Sequence, residues 1–582
     1  MHISTTRRHY VAADGVERVY ETHLLRRSVR VGKTVRNETL ANLSHLPAEL
    51  IEALRAGLSG KTLLVAGEGL ELVRSLPHGH VAALCVQARA LGLPDLLGPP
   101  CKERDIAYAL VLARALRPAS KRATVSWWSD TTLVEDLGLK DVGTDEAYGA
   151  MDWLLSRQDA IEQKLAERHL FEAANPTRRA YFDLSPSWME GRCCPLAAFG
   201  HSRDAKRGKL QIEYGLLTDP KGCPVAIRVF PGNISDPTSF KEIVTVVRDR
   251  FGLTHLVMVG DRGMITSARI EKLRELEGMG WLTALRAPSI KKLAEDGGPL
   301  QMSLFDEVSS CEITHPAYPG ERLVCCRNPL LAQERAAKRE ALLVATEAEL
   351  EVVAAACRRE HRPLRGKDAI ALRVGKVLNH HKMAKHFVID IEESSFSFSR
   401  NEASIAGEAA LDGIYVLRTT IAEAELDTTG VILAYKELSG VERDFRSMKA
   451  IDVDMRPVHH RLSDRVRAHA FLCFLATYLT FHLRATLSPL TFTDTEPPLR
   501  PDPVAPAPRS ASARKKDATK TNAENTEVRG FRELLEHLGT LTRNTMRVAT
   551  GSGVTFELLA TPTPTQRRAF ELLGAAVPRT LL

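Results

Sequence analysis

The sequence predicts an α/β protein with a mixed-sheet core, interrupted once by an α+β insertion subdomain. Three observations predict it. Between residues 176 and 287, short apolar runs and helix-period stretches follow the order strand, strand, strand, helix, strand, helix, strand. From about 288 to 411 that rhythm breaks into a charged helical stretch and alternating strands. From 412 to 485 a strand and two helices resume it.

Residues 1–95 read as a small mixed domain. "ETHLLRRSVRVGKTVRNETLANLSHLP" alternates apolar and basic residues, as a strand or hairpin does. Arg26, Arg27, Arg30, Lys33 and Arg36 make it locally basic, and a solvated face and a DNA-touching face are both open. Residues 96–175 read as helical, a candidate DNA-binding region. "ERDIAYALVLARALRP" and "TDEAYGAMDWLLSRQDAIEQKLAERHLFEA" carry apolar residues at helical spacing, with Thr144 as N-cap.

In the core, "RAYFDLS" is an apolar run holding one acid, Asp183. "LQIEYGLL" and "PVAIRVFPG" are strands joined by the turn "TDPKG". Asp236 and Pro237 open a helix, "HLVMVGD" is a buried strand ending at Asp261, and "TSARIEKLRELEG" and "WLTALRA" give a helix and a strand. "DGIYVLRTT" leads back to a helix centred on "AYKELSGVERDFRSMKA". Residues 486–527, rich in Pro, Ala, Thr and charge, are expected to be a disordered linker, and 528–582 a small appendix.

The chain has 582 residues, enough for several domains, and its 44% hydrophobic content is ample for a core. A net charge of +7 permits an anionic partner without demonstrating one. Ten scattered cysteines without CxxC spacing read as reduced, mostly buried thiols. The first residues lack a signal-peptide core, and "AFLCFLATYLTFHL" is too short to span a bilayer, so a soluble cytoplasmic protein with a buried core helix is expected.

Acids in or at the tips of buried strands are costly unless compensated, and ligands favour the carboxyl ends of strands in α/β sheets. Asp183 and Asp261 are thus candidates to meet at one sheet edge, although an Asp in "GDRG" is also an ordinary turn former. At about 100° per residue, Tyr435, Glu442 and Lys449 fall on one helix face with Arg446. Glu442 and Arg446 also have the spacing of an ordinary surface ion pair. Converging carboxylates repel, and a divalent cation resolves the conflict; Mg²⁺ suits an all-oxygen site.

At these residues the sequence resembles bacterial insertion-sequence transposases of the DDE type, in the branch with a β-rich insertion. That family carries its first Asp on the first core strand, here "YFDLS", and its second after the fourth, here "VMVGDRGM". Its Glu lies in the signature YxxRxxxExxxxxxK, which here reads Tyr435, Leu438, Glu442, Lys449, with Leu in place of Arg. "GHSRDAKRGKLQIEYGLLTDPKGCPV", "FPGNISD" and "PVHHRLSDRVRAHAFLCFLA" also look like that family. The resemblance implies an RNase H-like core and metal-dependent DNA strand cleavage and strand transfer. It implies Asp183, Asp261 and Glu442 as catalytic residues holding two Mg²⁺ or Mn²⁺ ions. Tyr435, Arg446 and Lys449 would lie beside DNA phosphate. Arg461, Arg465 and His469 share a face of the next helix and read as backbone contacts, a solvated face being equally open. The implied partners are double-stranded DNA, as element terminal inverted repeats and target, and a second copy of the chain. A repurposed transposase that binds DNA without cutting is the alternative. His459 and His460 read as structural or DNA-facing, and Asp204 and Asp236 as turn and cap residues.

Overall fold

The computed structural model describes residues 1–581 apart from 12–16, 33, 62–69, 172, 201–207, 235, 296–297, 307, 501 and 549–553, so Lys33 and Asp204 lie outside the described residues. The chain divides into two units, Met1–Leu76 with Thr542–Thr561, and Pro77–Leu541 with Pro562–Leu582.

In the first unit, β1 (His2–Val11), β2 (Glu17–Val31) and β3 (Thr34–Asn42) form an antiparallel sheet, followed by α1 (Ala48–Leu58) and β4 (Leu70–Pro77). The expected hairpin is β2–β3. Its basic residues are partly neutralised across the strands, as where Arg27 donates to Glu38 at 2.9 Å.

The second unit opens with helices α2 (Gly79–Ala90), α3 (Leu93–Leu97), α4 (Lys102–Leu116), α5 (Lys121–Trp128), α6 (Leu133–Asp136), α7 (Thr144–Ser156) and α8 (Gln158–His169). Gly143, not Thr144, caps α7. Its N–H donates to Glu146 Oε2 at 2.7 Å, so the cap comes from inside the first turn and leaves Thr144 helical.

The core then follows the expected order: β5 (Arg179–Trp188), β6 (Gln211–Thr218), β7 (Pro224–Pro231), α9 (Asp236–Thr245), β8 (Leu256–Val259), α10 (Ser267–Arg274) and β9 (Met279–Ala284). Asp236 is the first residue of its helix. After α11 (Ala287–Leu293) come β10 (Ser310–Ile313), β11 (Arg322–Arg327), α12 (Pro329–Arg358), α13 (Lys367–His381), β12 (Phe387–Ile391), β13 (Phe396–Arg400) and α14 (Glu402–Ala409). Then β14 (Ile414–Thr419), α15 (Thr428–Arg446), α16 (Ser463–Thr486), α17 (Ala511–Thr519) and α18 (Phe531–Gly539) follow. Strands β15 (Thr542–Val548) and β16 (Thr555–Leu559) return to the first unit, in a sheet of order β16-β15-β4, and α19 (Pro564–Leu572) belongs to the second.

The main sheet has the order β10-β11-β14-β9-β8-β5-β6-β7. β5, β6 and β7 are antiparallel, while β8 and β9 run parallel to β5. β7 tolerates its terminal prolines because it is an edge strand. Two expectations change here. The insertion is smaller than 288–411: β10 and β11 extend the main sheet, and Phe305, Ile313, Leu323 and Cys325 share one apolar cluster with Ile414 and Val416 of β14. Only α12, α13 and the β12–β13 hairpin have a core of their own, around Leu343, Leu350, Ile370, Phe387 and Phe396. The Pro-rich stretch is also held in place rather than loose. Lys436 Nζ donates to the carbonyls of Pro503, Val504 and Ala505 at 2.6, 2.8 and 3.2 Å, and Val504 is fully buried. Helix α17, capped by Ser510, is tied back through Lys516 to the Ser488 and Thr493 carbonyls. Composition alone misses this because prolines also lower the entropy lost on ordering.

Helix α16 is long and apolar enough to cross a membrane, but 83% of its apolar window is buried inside the protein, as a core helix is.

Candidate active site

The β5–β8 pairing sets Asp183 and Asp261 at corresponding positions past the paired residues. The parallel register matches Arg179 with Val257 and Tyr181 with Val259. Two residues further along each strand stand Asp183 and Asp261. The pairing with β8 stops at Tyr181, so Asp183 occupies the stretch of β5 that is open on that side. The same open edge accommodates Pro186 inside the strand. Asp261 therefore sits just past the carboxyl end of β8, and Asp183 lies in mid-β5 just past the end of its pairing with β8.

The face of β5 carrying Asp183 looks toward α15. Side chains two apart on a strand share a face, so Tyr181 and Asp183 point the same way. The Tyr181 hydroxyl lies 2.9 Å from the Ala434 carbonyl and 2.5 Å from Glu437 Oε2, both on α15. Arg179, on the same face, reaches Glu437 at 3.2 Å. On the neighbouring strand Tyr214 stacks edge-on against Phe445, with ring centroids 5.5 Å apart. Helix α15 starts where the Asp427 carboxylate accepts the Gly430 N–H at 2.7 Å, and it buries Ala434, Leu438, Val441 and Phe445 on the sheet.

Asp183 Oδ1 accepts the Leu184 N–H at 2.8 Å. Asp261 Oδ1 accepts the N–H groups of Gly263 at 3.0 Å and Met264 at 2.6 Å, so this acid does form the "GDRG" turn while Oδ2 has no partner among the described residues. Glu442 is exposed, and the ion pair with Arg446 suggested by their spacing is absent among the described residues. The three acids are not among the triads whose ligand atoms all fall within 4.8 Å; among the described residues those are His169–Cys223–His482 and Glu349–His380–His381.

Tyr435 reports on their arrangement. Burial, then Asp261, and further Glu442 and Asp183, push its phenol up to about 12, and only Arg262 acts the other way. After burial, acids from β5, the β8 tip and α15 all act on this one phenol. Arg262, exposed beside Asp261, is the cation in this group that the motif reading passed over; its signal was its place inside "GDRG".

The basic residues are less uniform than one stripe. Arg446 is exposed, but Lys449 is buried and lies in a π-helical turn, Ser447–Ile451, whose wider winding breaks the seven-residue repeat. Leu438, where the resembling family has Arg, is buried. Arg461 is exposed ahead of α16. Arg465 instead pairs with Asp152 at 2.7 Å and lies over the Tyr148 ring, 4.7 Å from its centroid. His469, expected to touch the DNA backbone, is instead buried against the Met455 carbonyl at 3.2 Å; its ring lies 5.1 Å from that of half-buried His460, while His459 is exposed.

Comparison with known proteins places this geometry. Residues 195–479 match the family model described as a transposase DDE domain. This chain carries a DDE-type transposase domain. Asp261 and Glu442 fall inside the matched segment and Asp183 just before it. No curated protein matches the DDE-domain chain. A solved structure, the piggyBac transposase synaptic complex with hairpin DNA, aligns at 10% identity over 70% of this chain and 73% of that one; its TM-score of 0.31 is too low to bear on fold or function.

Proposed function

We propose that the protein is a transposase that cleaves DNA strands at the ends of an insertion sequence and transfers them, using Asp183, Asp261 and Glu442. The observation that carries this reading is the parallel β5–β8 register, which sets Asp183 and Asp261 two residues beyond the paired Tyr181 and Val259, with α15 packed on the face of β5 that carries Asp183. Tyr435 on α15, raised mainly by burial, also feels Asp261, Glu442 and Asp183. The strand order adds support: Asp183 lies on the first strand of the β5–β9 core and Asp261 follows the fourth, as expected of an RNase H-like core.

The donor set is all oxygen, which fits a hard divalent cation, and Asp261 keeps one oxygen free of the turn it forms. Two Mg²⁺ or Mn²⁺ ions held by these carboxylates would polarise the attacking and leaving oxygens of an in-line phosphoryl displacement. The chain's own residues do the rest. Tyr435, held neutral by its raised pKa, donates a hydrogen bond to a phosphate oxygen and is not a nucleophile. Arg262, Arg446 and Arg461 are exposed and grip the backbone, which fixes register without reading sequence. The partners are double-stranded DNA, as terminal inverted repeats and target, and a second copy of the chain.

The test uses DNA carrying the repeats that flank the protein's own gene, with Mg²⁺ or EDTA. Nicked and joined products are expected with Mg²⁺ only, and none from Asp261→Ala. Cutting that survives EDTA or Asp261→Ala would overturn the assignment. Cut products without joined ones would make the protein a hydrolytic nuclease, and binding without either would make it a repurposed DNA-binding protein.

A further inference from the structure

A second cluster of ligating side chains lies away from the three acids. His169 ends α8, Cys223 follows the β6–β7 turn, and His482 is near the end of α16. Their ligand atoms all fall within 4.8 Å of one another. Cys223 Sγ is 3.5 Å from His482 Nε2 and 3.9 Å from His169 Nε2. Zinc bonds of about 2.3 Å to sulfur and about 2.1 Å to nitrogen, at a tetrahedral angle, place those atoms about 3.6 Å apart.

The surroundings also fit a ligand set. Asp219 Oδ1 accepts the N–H groups of Lys221 and Cys223, each at 2.8 Å, and so fixes the turn that presents the thiol. Its Oδ2 lies 3.6 Å from His169 Nδ1, which turns Nε2 toward the sulfur. A carboxylate behind a ligating imidazole is the usual outer partner of a metal-bound histidine. The Tyr478 hydroxyl lies 3.2 Å from His169 Nε2.

We propose that His169, Cys223 and His482 bind one zinc-type transition-metal ion that staples α8, the β6–β7 hairpin and α16 together. Thiolate and imidazole select zinc over magnesium, so this site is chemically distinct from the acids beside Tyr435.

The test takes the full-length protein stripped of metal. Zinc is titrated against a competing chelator and counted by mass spectrometry, and Co²⁺ is titrated while the thiolate-to-cobalt charge-transfer band is read. One zinc per chain and a cobalt band are expected; Cys223→Ser should lose the band, His482→Gln should bind at least tenfold more weakly, and Asp261→Ala should keep both. In the wild-type chain, zinc should also slow alkylation of Cys223 and leave buried Cys473 unaffected, a readout independent of any variant's folding. No cobalt band, alkylation of Cys223 unaffected by zinc, or a Cys223→Ser chain that keeps its band would overturn the site.

Discussion

Glu321 and Glu442 are acids set beside the same sheet, and their surroundings are opposite. The Glu321 side chain is 0% exposed. Arg418 grips both its oxygens at 2.5 Å, Arg274 adds a contact at 2.6 Å, and the Trp281 indole N–H donates at 3.3 Å. Glu442 is exposed and has no cation paired with it among the described residues. Glu162 follows Glu321: buried, with Arg228, Gln158 and the Ile227 N–H as partners. Asp261 follows Glu442, with one oxygen spent on a turn and one open. A carboxylate that is fully paired has nothing left to offer a ligand. One held in place but under-partnered does.

The comparison breaks most visibly if activity tracks the wrong group. Glu442→Gln keeps shape and removes the charge, so DNA cleavage should fall by at least about 10³-fold, roughly 4 kcal/mol of transition-state stabilisation. The urea midpoint should stay unchanged, since no ion pair is lost. A Glu442→Gln chain that cuts normally would end the catalytic role of that acid. Glu321→Ala should do the converse. It leaves Arg418 and Arg274 facing an empty buried site, and the expected loss is about 3–5 kcal/mol of stability, read from urea unfolding at fixed pH.

How much of this was legible beforehand follows the same divide. The β5–β9 order could be read from its apolar runs and turns, and Asp183, Asp261 and Glu442 could be picked out as candidates because a strand's apolar run makes a lone acid conspicuous and a helix's period puts Tyr435 and Glu442 in line. Paired partners could not be read: Glu321 with Arg418, or Lys436 with three carbonyls near Pro503, are contacts between residues far apart in the chain, and neither has a local pattern. The π-helical turn at Ser447–Ile451 was hidden for another reason. It changes the winding without changing composition, so the spacing of Lys449 looked regular while the side chain turned inward.

Buried cations sharpen the comparison from the other sign. Lys121 is 3% exposed and lies 3.4 Å from His469 Nδ1, with no carboxylate paired to it among the described residues. Burial, and then Arg114, bring its pKa down to about 7. A lysine depressed in the folded state contributes stability above its unfolded pKa and loses it as pH falls toward the folded value. Its burden on the fold is therefore greatest at and below pH 7 and fades toward pH 10. Lys121→Met should stabilise the protein by about 1–4 kcal/mol at pH 7 and by less at pH 10, measured by urea unfolding at both. A gain that does not shrink with pH would mean that packing, not charge, is responsible.

The smallest effect separates two arginines four residues apart, Arg461 ahead of α16 and Arg465 in its first turn. Arg461 is exposed; Arg465 is tied to Asp152 and lies over Tyr148. An arginine that neutralises a phosphate releases counterions, and its removal lowers the salt dependence of DNA binding by about 0.9 in the log–log slope. Arg461→Ala should show that change and leave stability unaltered. Arg465→Ala should leave the slope alone and cost about 1 kcal/mol or less of stability, because the Asp152 carboxylate it pairs with is half exposed and screened by water. If the two variants exchange these signatures, the pairing with Asp152 gives way when DNA arrives, and a partnered charge on this surface is not thereby spent.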